Sequence, residues 1–155
     1  GLFGGRTAER RLEIMKDSHI GSFGTLALLL VSLAAWSALS ALIRTGQAVP
    51  AVLAASALSR APMAAIMAAL PPARREGLSA SSGQPGLATA LMAVVLGVGL
   101  ALAIGGRDAL LALPAVLVIS GLLTVSAARR IGGQTGDILG ASQQLAFAAT
   151  LAVFA

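Results

Sequence analysis

The chain has 155 residues, 57% of them hydrophobic and 11% charged, with a mean hydropathy of +0.88. Soluble domains carry about 25% charged residues, so this composition excludes an ordinary soluble domain and predicts an integral membrane protein. The net charge of +5 does not indicate nucleic acid, because the basic residues stand at the ends of apolar runs, as sidedness in a membrane requires.

Residues 1–22 read as a polar arm. Its start is glycine-rich and polar, not a basic stretch followed by a short apolar core, so no signal peptide is expected. The chain opens at Gly1 without Met and closes at Ala155 inside an apolar run, so it reads as a piece of a longer protein. Glu9, Glu13 and Asp17 recur every fourth residue and would share one face of a helix, where like charges repel by about 0.2–0.5 kcal/mol per pair. Arg6, Arg10 and Lys16 each stand three residues from one of these acids and can offset it. Two readings follow: a salt-bridged amphipathic helix, or a carboxylate row partly neutralised by a bound cation.

The rest, 23–155, reads as a helix bundle of about five spans, so the expected class is all-α and polytopic. Phe23–Ile43 is uncharged and long enough to cross about 30 Å of hydrocarbon. Residues 44–47 are a short turn. Residues 48–73 are apolar but interrupted by Arg60 and Pro62, and 77–86 read as a polar loop. Leu87–Ile104 is a third run, Gly105–Asp108 a tight turn, and Ala109–Ala128 a fourth run containing Pro114. A polar loop at 129–137 leads into a fifth run, Ile138–Ala155. The small residues that dominate these spans allow close helix approach in lipid.

Threading five spans places Arg6, Arg10, Arg11, Lys16, Arg74, Arg75, Arg129 and Arg130 on one side and only Arg44 and Arg107 on the other. Eight against two marks the first side as cytoplasmic. The same threading brings the stretch from Arg11 to Gly21 and the loop from Arg129 to Asp137 to one side of the membrane, where they could build one site.

In that loop, Gly132, Gly133 and Gly136 would let backbone approach phosphate, and the following helix start favours anions. No Gly-Lys-Ser/Thr follows, so it is not a P-loop. Asp137 is either a helix N-cap or a ligand to substrate or metal. Gly140 and Gln144 continue its helix face, with Ser142 and Gln143 nearby. They read equally as interhelical hydrogen-bonding groups or a substrate-lining stripe. Arg60 lies mid-span, where a charge is costly, and a partner of opposite charge is expected: an anionic substrate group or a carboxylate in the bundle. His19 reads as a surface residue or phosphate contact, and Trp36 and the methionines as packing or lipid-facing residues. Cysteine is absent and His19 is the only histidine, so thiolate and histidine metal sites are excluded. A metal here would have oxygen ligands, which favours Mg2+ or Mn2+.

The two polar segments together resemble the cobalamin synthase family, the adenosylcobinamide-GDP ribazoletransferases. One family block stands here as Leu12, Ile14, Met15, Lys16, Asp17, Ser18, Gly21 and Gly24. A second stands as Gly132, Gly133, Thr135, Gly136, Asp137, Leu139, Gly140 and Ala141. Between them, Ser59-Arg60 and Leu70-Pro71-Pro72-Ala73-Arg74 followed by Gly77 are similar to the family's central segment, so the resemblance runs in order through the whole chain. The chain departs from the family pattern at His19, where members usually carry Arg, and near Phe147, where they often carry an acid. The family's acidic motif belongs upstream of the block that Gly1 opens, so these 155 residues alone are expected to be inactive.

The resemblance implies a transferase of the prokaryotic cytoplasmic membrane. It would join α-ribazole, or its 5′-phosphate, to adenosylcobinamide-GDP and release GMP, with Mg2+ as cofactor and membrane lipid around it. It implies Asp17 and Asp137 on or near Mg2+, with Lys16, Asp17 and Asp137 as the catalytic group. Arg11 and Lys16 would neutralise pyrophosphate, with Arg60 a further candidate, and Ser18, Gly133, Thr135 and Gly136 would bind phosphate oxygens. The competing expectation, from the broken span at Arg60, is a small transporter or permease subunit.

Overall fold

A computed structural model describes residues 1–17, 19–74 and 78–155. Among them the secondary structure is helical: α1 (Ala8–Lys16), α2 (Ser22–Arg44), α3 (Ala48–Leu58), α4 (Ala61–Ala69), α5 (Leu78–Ser81), α6 (Leu87–Ile131) and α7 (Gly136–Phe154). Four stretches are long and apolar enough to cross a bilayer: α2, α3 with α4, α6, and α7. The chain is therefore a membrane protein with an all-α fold. Leu26, Leu28, Leu29, Leu30 and Leu33 of α2 are more than half exposed. Such a surface is untenable in water but is the ordinary lipid face of a spanning helix.

The longest helix makes two passes. As a straight rod, the 45 residues of α6 would extend about 67 Å, more than twice the hydrocarbon thickness. It does not run straight: Gly106 has φ 52° and ψ −124°, a conformation open to glycine and to few other residues. Val94 and Thr124 would lie about 45 Å apart on a straight helix, yet both line one cavity of about 280 Å³ with Leu58, Ile66 and Val116. The limbs 87–105 and 107–131 thus fold back on each other, which makes five passes in all. The reversal falls within the expected tight turn at 105–108, where Gly106 has non-helical backbone.

The second pass is broken where expected. α3 ends at Leu58 and α4 begins at Ala61, with Pro62 in its first turn, where the missing proline N–H costs nothing. Arg60 sits exposed at the break, and its Nη1 donates to the Ser56 carbonyl at 2.6 Å. The expected loop at 77–86 holds one departure, the helical turn α5.

Small side chains let the passes approach. Ala54, Ala101, Ala109, Ala112 and Ala146 form a fully buried cluster with Leu58 and Val116, and Ala51, Ala55 and Leu151 join α2 to α3 and α7. Polar groups inside are bonded across helices: Ser142 to Ser120 and Gln143 to Ser59, each at 3.4 Å. The interhelical reading of the α7 polar stripe therefore holds for these two residues, while Gln144 is exposed.

Candidate active site

Three segments far apart in sequence meet at one end of the bundle: the α1 arm, the chain after α4, and the loop between α6 and α7. Apolar packing brings them together. Leu2, Ala127, Ile131 and Ile138 form a buried cluster against which Leu12, Met15, Leu70 and Ala73 pack. Burying these faces gives about 25 cal/mol per Å² and seats α1 on the bundle end.

Backbone hydrogen bonds then fix the loops. Gln134 N–H donates to the Pro71 carbonyl at 2.9 Å and Ala73 N–H to the Gln134 carbonyl at 2.8 Å, a two-bond parallel bridge. The bridge explains Gly133. A Cβ there would stand 2.3 Å from the Pro71 oxygen and 2.9 Å from the Ala73 nitrogen, so only glycine admits this approach. The close backbone approach expected for phosphate is made here to protein. Gly136, by contrast, opens α7 with nothing within 4 Å of its Cβ position.

Arginines complete the junction. Arg11 Nη1 donates to the Arg130 carbonyl at 3.0 Å, and Arg74 Nη2 donates to the Leu12 carbonyl at 3.1 Å. The same Arg74 Nη2 lies 3.7 Å from Asp137 Oδ2. Arg130 stacks over the Phe3 ring at 4.3 Å, which holds the first residues of the arm. Arg74, part of the stretch similar to the family's central segment, and Gln134 carry no site role from sequence. Gln134 is fully buried, and its side-chain amide has no partner among the described residues.

Asp137 is not the N-cap of α7. That position belongs to Thr135, whose Oγ1 accepts the Ile138 N–H at 3.4 Å while the side chain is buried. One cap suffices for the helix end, so the carboxylate of Asp137, 59% exposed in the first turn, is left for other partners.

The arm departs from the expected carboxylate row. α1 starts at Ala8, capped by Thr7, whose side chain accepts the Arg10 N–H, and ends at Lys16. Glu13 pairs with Arg10 at 2.9 Å, as the spacing predicts. Asp17 has left the helix: its Oδ1 accepts the His19 N–H at 3.0 Å and lies 2.6 Å from His19 Nδ1. Aspartate commonly closes such local turns at the expense of helix. Lys16 and Asp17 are both exposed, and Ser18 lies outside the described residues.

The His19 backbone N–H, and after it the His19 ring, hold the Asp17 carboxyl below its ordinary value of 3.8. Because the folded value is the lower one, the turn's contribution is complete above the ordinary value and is lost as pH falls through the folded value. Replacing His19 by Ala removes the ring contact and keeps the backbone one. The Asp17 titration midpoint, followed by carboxyl NMR, then moves partway back towards 3.8. An unmoved midpoint would deny the ring a part in it.

Arg60 is not brought into this junction. The nine residues of α4 separate it from Leu70 by about 13 Å. Among the described residues no three His, Cys, Asp or Glu side chains gather as a metal cage. Mg2+ is ordinarily held by one or two carboxylates with the substrate's own phosphates; the Asp137 carboxylate is exposed at the start of α7, and the exposed Asp17 carboxylate is engaged by His19.

No solved structure matches the chain. The sequence is 47% identical over 145 residues to an adenosylcobinamide-GDP ribazoletransferase of Bradyrhizobium diazoefficiens, covering 93% of this chain and 56% of that protein. It is 43% identical over 157 residues to the protein so named in Mesorhizobium japonicum, covering 99% of this chain and 59% of the relative. In Rhizobium etli the identity is 41% over 163 residues, with 100% and 63% covered. The chain thus spans about three fifths of the length of the relatives it matches. The pattern of the family described as cobalamin-5-phosphate synthase matches residues 1–155, the full run that holds the arm, the loop after α4 and the glycine loop before α7. The chain belongs to the cobalamin-5-phosphate synthase family.

Proposed function

We propose that a protein of the relatives' full length, carrying this chain, transfers α-ribazole or its 5′-phosphate to adenosylcobinamide-GDP and releases GMP. A ribazole oxygen forms a bond to the cobinamide-side phosphorus, the bond from that phosphorus to the GMP oxygen breaks, and the nucleophile's proton is lost. Such transfers depend mostly on positioning and charge neutralisation. The observation that carries the reading is the three-way junction, in which Arg11 and Arg74 tie the arm to the loops around Asp137. Lys16 and Arg11 neutralise pyrophosphate, Ser18 and the start of α7 at Gly136 receive phosphate oxygens, and Thr135, buried, acts by capping that helix start. Gly133 acts through the loop it closes. When bound, Mg2+ on Asp17 and Asp137 supplies further positive charge to the phosphates.

The excess of Lys and Arg on the junction side supports a cytoplasmic-membrane protein whose site faces the cytoplasm. The competing transporter reading draws on the broken pass at Arg60. A transporter's substrate site lies near the bilayer midplane, whereas here the charged side chains of Arg11, Arg74 and Asp137 converge at the bundle end. Purified full-length protein in vesicles, given adenosylcobinamide-GDP and α-ribazole, is expected to release GMP only when Mg2+ is present. Solute uptake without GMP release would overturn the enzyme reading.

A further inference from the structure

We propose that Arg74 is a positioning residue that sets the Asp137 carboxylate against the α1 arm. The proposal rests on the transferase reading. By sequence alone Arg74 is one of the basic residues that mark the cytoplasmic side, and it ends the stretch similar to the family's central segment, with no contact of its own assigned. Its placement is different. The side chain is 26% exposed and points inward, and Nη2 serves two segments at once: the Leu12 carbonyl at 3.1 Å and Asp137 Oδ2 at 3.7 Å. Its Nε is buried without a partner among the described residues. An anchoring arginine has no reason to carry a buried, unpartnered donor, since it would turn it to water.

The two contacts have unequal partners. Leu12 lies in α1, four residues before Lys16 and five before Asp17. Asp137 lies in the first turn of α7. Both segments are otherwise joined through apolar packing and through Arg11, whose hydrogen bond reaches Arg130 at the far side of the glycine loop. Arg74 is thus the link that runs directly from the arm to the carboxylate. Both contacts come from one terminal nitrogen held in the rigid guanidinium plane, whereas an ammonium in its place would turn on a flexible stem. Catalysis by positioning is sensitive to displacements of about 1 Å, worth up to roughly 10²-fold.

The test uses the full-length protein with Arg74→Met, Arg74→Lys, Asp137→Asn and the double variant Arg74→Met/Asp137→Asn. Arg74→Met is expected to lower kcat by about 10- to 100-fold with KM for both substrates within about 3-fold, and Arg74→Lys to recover part of the loss. The double variant is expected to be no slower than Asp137→Asn, because both changes break one unit. Hydrogen exchange gives a readout free of turnover: amides of 8–16 exchange faster in Arg74→Met, while those of the spans do not. Unchanged kcat in Arg74→Met, or a rise in KM alone, would overturn the proposal and leave the transferase reading standing. Multiplicative losses in the double variant, or unaltered exchange in 8–16, would overturn it as well. Absence of GMP release from the unaltered protein would instead count against the transferase reading.

Discussion

Asp137→Asn in the full-length protein lowers GMP release by about 10²-fold or more, while the variant inserts in the membrane and melts at the unaltered temperature. The first half follows from the proposed role: removing one charged group from a transition-state array typically costs about 10²–10³-fold. The second half follows from the structure. Asp137 is 59% exposed, and the helix end it sits on is already capped by Thr135. Its contact with Arg74, at 3.7 Å with one partner largely in solvent, belongs to a class worth about 0–1 kcal/mol. Activity and stability should therefore separate. The check is GMP formation beside a thermal melt in detergent, and near-normal GMP release would remove Asp137 from the site.

Gly133→Ala should show the opposite pattern and lose stability and activity together. The new Cβ would meet the Pro71 oxygen at 2.3 Å, and neither side of that contact is a movable side chain. The loop must retreat and give up the bonds between Gln134 and residues 71 and 73. Overpacking and lost hydrogen bonds together cost about 3 kcal/mol, or about 10 °C in the melting midpoint for a chain of this size. Gly136→Ala is the control. Its Cβ enters open space at the start of α7, so the midpoint should hold. Equal midpoints for the two variants would show that the bridge is not what Gly133 serves.

Much of the fold is legible because lipid imposes a length and a polarity on each pass. The runs 23–43, 87–104, 109–128 and 138–155 each match a helical pass to within a few residues, and the Arg60-Ala61-Pro62 interruption is the break between α3 and α4. Counting basic residues also placed the arm and the glycine loop on one side, and the junction unites them. The details of that junction are less legible because they arise from contacts between distant segments. Arg74 follows a span and counts in the sequence only as a cytoplasmic charge within a family-like segment, because its partners Leu12 and Asp137 are 62 and 63 residues away. Gln134 lies between glycine and threonine and reads as loop, yet it is fully buried beside Pro72. Thr135 and Asp137 are both good caps, and local sequence does not choose between them. Asp17 fits a helical repeat that ends one residue before it, because His19 offers its carboxylate a closer partner.

The bridge between Pro72 and Gln134 also dictates an order of events. Its two strands of backbone are separated by the whole of α6 with its reversal at Gly106. Long-range contacts of this kind form only after the intervening chain has been ordered. During synthesis the loop after α4 emerges early and waits, with its carbonyls and N–H groups facing water, until two further passes are threaded and packed. The junction at this end of the bundle therefore closes only after the passes of α6 are in place. A chain stalled or misthreaded in the membrane would lack the junction, and with it the arrangement of Arg11, Arg74 and Asp137.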